Sequence, residues 1–212
     1  MAVGIYEVTE QFEAELAKYT GAPYCVTVDN ASNALFLCLK YIGVDGLEIE
    51  IPSHTYPSVP CSIIHAGAKI KFLKSNKLLT GAYQLKPTNI YDSALRFTAD
   101  MYIPGSMMCL SFTGPYKHFK LSKGGAILLD DPASVIWLKK ARFSGRGECS
   151  YHDDYFEQLG WNYYLMPEIS MRGMLLIKQF YSPDGKTKKE NADLSLEYPD
   201  LSKFQVYKES VR

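Results

Sequence analysis

Apolar and polar positions alternate in blocks along this chain, and the blocks change period. From 9 to 20, Phe12, Leu16 and Tyr19 recur at i, i+4 and i+7. That spacing predicts a helix, with Thr9 as its cap and Gly21 as its stop. Tyr24 to Val28 is short and rich in β-branched residues, as a strand is. The turn residues Asp29 to Ser32 then precede a long apolar helix, Asn33 to Ile42. Leu47 to Ile51 reads as a second strand, closed by Pro52. Lys69 to Leu73 alternates as a strand near a sheet edge. Asn89 to Tyr91 is a short apolar run ending at Asp92. Two more apolar runs, Met107 to Leu110 and Ala126 to Leu129, flank a loop. Asp130-Asp131-Pro132 opens a helix to about Phe143, and Pro167 suits the first position of another, running to Phe180. Strands alternating with helices predict a layered α/β domain.

Composition narrows the class. The chain has 212 residues, 47% apolar and 22% charged. That is enough for one sizeable core. Lys+Arg 23 balances Asp+Glu 23, so no broad basic face invites nucleic acid or an acidic membrane. Ile51 to Ala68 is the longest uncharged stretch, and its three prolines exclude a membrane helix. The N-terminal residues show no basic region followed by an apolar run, so no signal peptide is expected. Of five cysteines, Cys25, Cys38 and Cys109 lie in apolar runs and none forms a CxxC pair. Buried, reduced thiols are expected, and with them a cytoplasmic setting. No His/Cys/Asp cluster has metal-ligand spacing. The last residues, from 181, carry PDG, KTKKE and EYPDLSK and read as a polar arm.

The loop between the last two apolar runs holds the candidate chemistry. It reads CLSFTGPYKHFKLSKGGAILL, from Cys109 to Leu129. A lysine between two buried strands can form a Schiff base with a carbonyl once burial lowers its pKa. Lys117, Lys120 and Lys123 share the loop, and a solvated basic loop is the plain alternative. Upstream, Asp29 to Ser32 offers free helix-start N–H groups and a hydroxyl, a suitable phosphate site. The same residues would also serve as ordinary helix caps. Asp92, at a strand end, has the same double reading.

Several segments together resemble one family. Ser111-Phe112, a lysine, a histidine and Gly124-Gly125 resemble the lysine segment of the DegT/DnrJ/StrS aminotransferases, which use pyridoxal phosphate (PLP) and act mostly on keto-sugar nucleotides. The spacing from Lys117 to Gly124 matches, with one extra residue between Ser111 and Lys117. DNASNALFL resembles the family's S/N-G-T-A-A-L, with Ala31 and Ser32 in the Gly and Thr places. SHTYPSVPCSIIHAGAK resembles the segment whose aromatic stacks on the cofactor ring, here Tyr56. IYDSAL resembles v-x-E-D-A-A-Q, with Asp92 in the aspartate place and Leu95 where a glutamine stands. LGWNYYLMPEISMRGMLLIKQF resembles a later motif, with Asn162 in place and Tyr164 where an arginine is usual.

The resemblance implies a reduced version of the fold-type I PLP-transferase large domain, a mostly parallel sheet with helices on both faces, over residues 1–180, with the arm at 181–212. One strand-helix unit before Asp92 and the small C-terminal domain have no counterpart. It implies PLP held by Lys117 as a Schiff base, with Asp92 at the pyridine nitrogen. Ala31, Ser32, Tyr56, Ser111 and Asn162 would complete the cofactor site. It implies a homodimer in which Asn162 serves the partner's site, an amino-acid donor and a keto-sugar acceptor. The missing unit, Leu95 and Tyr164 leave room for an inactive binding or scaffold dimer. A PLP lyase or dehydratase on the same scaffold is a third reading.

Overall fold

Among the described residues nine strands form, and six of them fall on the apolar blocks of the sequence. The fold was obtained as a computed structural model, which describes residues 6–150, 152–181 and 193–209. The strands are β1 (Tyr24–Val28), β2 (Glu48–Pro52), β3 (Lys69–Leu73), β4 (Leu78–Thr80), β5 (Tyr83–Gln84), β6 (Ile90–Asp92), β7 (Met107–Ser111), β8 (Gly125–Leu129) and β9 (Ser195–Glu197). The main helices are α1 (Glu7–Thr20), α2 (Ala31–Ile42), α3 (Ser58–His65), α4 (Pro132–Ala141) and α5 (Pro167–Ile177).

Five strands form one sheet in the order β1-β8-β7-β6-β5. β8 is antiparallel to both β1 and β7, so those two run the same way, and β6 is parallel to β7. β5 is antiparallel to β6. β2 and β3 form a parallel pair, joined to this sheet by an antiparallel bridge from Glu50 to Lys86. Thus β1, β2, β3, β6 and β7 share one direction, and β5 and β8 are reversed. The central sheet is mostly parallel, as expected. No helix lies between β3 and β6; the short β4 and β5 occupy that interval.

Period-two alternation sorts the strands' side chains onto two faces. Val26, Val28, Met107, Cys109, Ile127 and Leu129 join one core with α2, α3 and α4. Cys25, Met108, Leu110, Ala126 and Leu128 join the other, with α1 and α5. Both faces are covered, which explains why β7 and β8 are continuous apolar runs.

α1 shows where local reading and packing part. Phe12, Leu16 and Tyr19 are fully buried, and Gly21 ends the helix at φ 75°, both as expected. Thr9 does not cap it. The helix starts at Glu7, and Thr9 is buried within it, its hydroxyl 3.2 Å from that of Ser170 on α5. Gly173 makes this contact close, since a Cβ there would stand 2.4 Å from the Phe12 ring. α4 likewise ends at Ala141, short of Phe143.

A buried charge cluster ties α1 to β1. The Glu13 carboxylate accepts from the Thr27 N–H at 2.8 Å and from its hydroxyl at 2.9 Å. Arg142, with no exposed surface, donates to Glu13, to the Thr27 carbonyl at 2.6 Å and to Glu148 at 2.8 Å. Burial works to lower its pKa, but Glu13 and Glu148 hold it above the ordinary range. Tyr164 lays its ring 4.9 Å from the guanidinium. Removing one partner of a buried pair leaves an uncompensated charge and costs about 3–5 kcal/mol. Glu13→Ala is therefore expected to lose that much in urea unfolding. Converting Arg142 to Met in the same chain should recover part of this, because the fully buried charge is then gone, although Glu148, its side chain 14% exposed, loses its partner.

Candidate active site

Four elements deliver side chains to one cavity of about 650 Å³ at the strand ends. That is within the size range of small-molecule sites. The start of α2 gives Ala31 and Ser32, the segment before α3 gives Tyr56, β6 gives Asp92, and β7 with the loop after it gives Ser111 and Lys117. Each was singled out in the sequence. Asn162 does not reach the cavity. It is exposed and bridges Phe143, just past the end of α4.

Asn30 caps α2 by accepting from the Asn33 N–H at 2.9 Å. This leaves the first-turn N–H groups at Ala31 and Ser32 without intrahelical acceptors. Ser32 donates its hydroxyl to Ser58 at 2.6 Å, so two hydroxyls stand beside them. Gly125 allows this placement. A Cβ there would lie 2.7 Å from the Ala31 nitrogen and 2.8 Å from the Leu110 carbonyl oxygen. The caps and the anion site are thus the same structure; neither reading excludes the other.

Asp92 is 5% exposed and its carboxylate is well held. It accepts from the Ala94 N–H at 2.9 Å and from the Tyr83 hydroxyl at 3.0 Å. Burial pushes its pKa above the usual 3.8, and the Ala94 and Tyr83 bonds and the Lys117 charge pull it back. Burial, and then the Asp92 charge, push Tyr83 well above the usual tyrosine range. Tyr83 is therefore the donor to Asp92, and Thr55, 2.6 Å away, donates to it in turn.

Lys117 donates to the Ala94 carbonyl. Ala94 thus holds the acid through its N–H and the amine through its C=O. Burial pushes Lys117 below the ordinary 10.5, and the Asp92 charge partly restores it. The other two loop lysines differ. Lys120 is exposed and absent from the cavity wall, and Lys123 reaches the wall paired to Asp29 at 3.1 Å. Lys117, half-buried, is the least exposed amine of the three.

The donor set fits PLP. Helix-start N–H groups and two hydroxyls suit a phosphate, a half-buried amine suits an aldehyde, and a buried carboxylate suits a protonated ring nitrogen. Leu95 lines the cavity and offers no hydrogen bond to a ring hydroxyl. Sequence reading missed Tyr83, Leu196 and Tyr198, all on the wall. Among the described residues no His/Cys/Asp/Glu group could hold a metal ion, and no helix is long and apolar enough to cross a membrane.

Residues 3–92 match the DegT/DnrJ/EryC1/StrS aminotransferase family, so the resemblance holds over that stretch. It takes in Ala31, Ser32, Tyr56 and Asp92; Ser111, Lys117 and Asn162 lie beyond it. Over 60 residues the chain is 42% identical to the erythromycin biosynthesis sensory transduction protein EryC1 of Saccharopolyspora erythraea, covering 28% of this chain and 16% of that protein. The spore coat polysaccharide biosynthesis protein SpsC of Bacillus subtilis is also 42% identical over 60 residues, 28% of this chain and 15% of its own length. Among solved structures, Helicobacter pylori PseC, an aminotransferase of pseudoaminic acid biosynthesis, superimposes with a TM-score of 0.69 at 14% identity, over 81% of this chain and 57% of its own. S. venezuelae DesV, solved with a ketimine intermediate, gives 0.65 at 20% identity, over 81% and 56%. The fold is that of PLP-dependent aminotransferases, and the chain spans just over half the length of these solved proteins.

Proposed function

We propose that this chain carries the cofactor half of a PLP-dependent aminotransferase that moves an amino group from an amino acid to a keto-sugar, as a nucleotide sugar. The observation that supports this most is one cavity holding a half-buried amine of lowered pKa, a buried carboxylate and a helix start, from Lys117, Asp92 and α2. Lys117 is the amine that would hold the cofactor aldehyde as a Schiff base, and once freed it would carry the proton between the substrate's α-carbon and the cofactor's C4′ carbon. Ser32, Ser58 and the α2 N–H groups would bind the phosphate. Tyr56, 55% exposed at the rim, would cover the ring, and Asp92 would hold the ring nitrogen protonated. Bound PLP supplies an electron sink for the substrate's α-carbon. Ser111 lines the floor next to Lys117.

The test is an absorbance spectrum of the purified protein with PLP added. A visible-edge band abolished by borohydride, with the pyridoxyl group mapped to Lys117, is the expected result. Label on Lys120 or Lys123 instead would refute the assignment.

The reading includes a two-fold dimer in which Asn162 approaches the partner's phosphate site. Exposed Met166, Met171 and Leu175 on and beside α5, with Leu159 nearby in sequence, support an interface there. Sedimentation equilibrium with and without PLP checks it, and a monomer at micromolar concentration would end the shared-site idea. Buried Cys25, Cys38 and Cys109, all free, support a cytoplasmic setting.

One observation favours a second reading, a binding protein without turnover. Tyr83 already occupies Asp92, and Leu95 gives the ring hydroxyl nothing. A PLP band that L-glutamate leaves unchanged would select it.

A further inference from the structure

Residues 193–201 put two side chains on the wall of the Lys117 cavity and are tied at both ends. At one end Arg96 grips Asp193 with two parallel bonds, at 2.8 and 2.6 Å. The Leu194 N–H donates to the Leu95 carbonyl at 2.8 Å. Gly81 makes room for this joint, since a Cβ there would lie 2.1 Å from an Asp193 oxygen. In the middle β9 pairs antiparallel with β4, Leu79 opposite Leu196. At the other end the His54 ring nitrogen Nδ1 lies 2.8 Å from the Tyr198 carbonyl oxygen. The Leu201 N–H donates to Ser53 at 2.8 Å, and the Leu201 side chain is buried.

Strand periodicity then decides which side chains face inward. Positions 196 and 198 share one side of an extended chain, and both Leu196 and Tyr198 line the cavity. The Tyr198 ring meets Tyr56 edge-on, with centroids 6.1 Å apart. Burial and the neighbouring Asp92 push the Tyr198 hydroxyl up to about 12, so it stays a protonated donor facing the site.

We propose that residues 193–201 are a strap fixed across the cavity, and that Leu196 and Tyr198 set the size of the group admitted beside Lys117. The inference rests on Lys117 being a reactive amine in that cavity, and otherwise stands apart from the cofactor reading. Arg96 and Asp193 act through the strap, as positioning residues. Leu196 and Tyr198 act by contact.

The test compares two aldehydes of different bulk, formaldehyde and benzaldehyde, fixed on the protein by cyanoborohydride. Peptide mass spectrometry gives the extent of labelling at Lys117, with exposed Lys120 in the same digest as the reference. Leu196→Ala and Tyr198→Ala should each raise benzaldehyde labelling at Lys117, relative to formaldehyde, by roughly tenfold, the order expected for bulk removed from a pocket. Arg96→Asp should raise it as well, by repelling Asp193. Adding Asp193→Arg in the same chain should restore the wild-type ratio, which general loss of folding would not do. An unchanged ratio in both alanine variants overturns the strap, as does a charge swap that restores nothing. A wild type that gives no PLP band but shows these shifts would remove the cofactor reading and leave the strap. A PLP band without the shifts would do the reverse.

Discussion

Lys117→Ala is expected to abolish covalent attachment of PLP completely, with no shift of the label to a neighbouring lysine. The expectation follows from position rather than from residue type. Lys117 is the loop amine that burial deprives of water, and its pKa is lowered for that reason. The neutral amine is the form that attacks an aldehyde. A lowered pKa enlarges the neutral fraction at any pH below 10.5, so attachment should persist to lower pH than for an ordinary lysine. It should fail as pH drops through the lowered value. Lys123 reaches the wall, but it is held by Asp29 and its side chain is 59% exposed. Lys117→Arg should fail equally, because guanidinium stays protonated and cannot condense. Borohydride reduction followed by peptide mapping reads all of this. A pyridoxyl group on Lys123 of the alanine variant would show that cavity access, and not burial, selects the amine.

Asp92→Asn is expected to retain PLP and to slow its reaction with L-glutamate roughly 10²–10³-fold, the usual scale for losing one aimed electrostatic group. Asparagine can still accept from the Ala94 N–H through its one oxygen, and its NH2 can donate to the Tyr83 hydroxyl, which then turns its own hydrogen to Thr55, so the pocket should keep its shape. What it lacks is the charge that holds a ring nitrogen protonated. The wild-type pH dependence has a definite sign. Burial raises Asp92, and the carboxylate is the working form, so activity should fall as pH drops through that raised value. The acid limb should vanish in the asparagine variant. Stopped-flow absorbance in single turnover measures both; a variant as fast as wild type would reduce Asp92 to a turn cap.

Much of this site was legible because it is built from local pattern. β1 and β3 run from the first to the last residue expected, since short β-branched or alternating runs bounded by turns have one reading. β6 to β8 differ by one residue at their ends. Ala31, Ser32, Asp92 and Ser111 each sit at a strand end or helix start, where the sheet must bring them to the same side, and Lys117 sits in the loop that leaves β7 on that side. The rest depended on contacts between distant segments. Tyr83 lies in the stretch before β6 that matches no motif, and only the pairing of β5 with β6 aims its hydroxyl at Asp92. Tyr198 sits in an arm that reads as polar and solvated. His54 had no role in the sequence until its bond to the Tyr198 carbonyl appeared. Thr9 looks like a cap by type, and packing against α5 buries it.

The cluster of Glu13 and Arg142 bears on how the chain keeps to itself. β1 is the edge of the main sheet, with β8 on one side alone. Its outer N–H and C=O groups would ordinarily invite a strand from another molecule. At Thr27 both are already taken, the N–H by Glu13 and the carbonyl by Arg142, and the Asp29 N–H donates to the Tyr163 carbonyl at 2.9 Å. Two charged side chains and one loop thus occupy the seats a foreign strand would need. Chains that lose Glu13 should therefore do more than unfold sooner. Their bare edge makes them stick together, and visible aggregation should precede the loss of helix on heating.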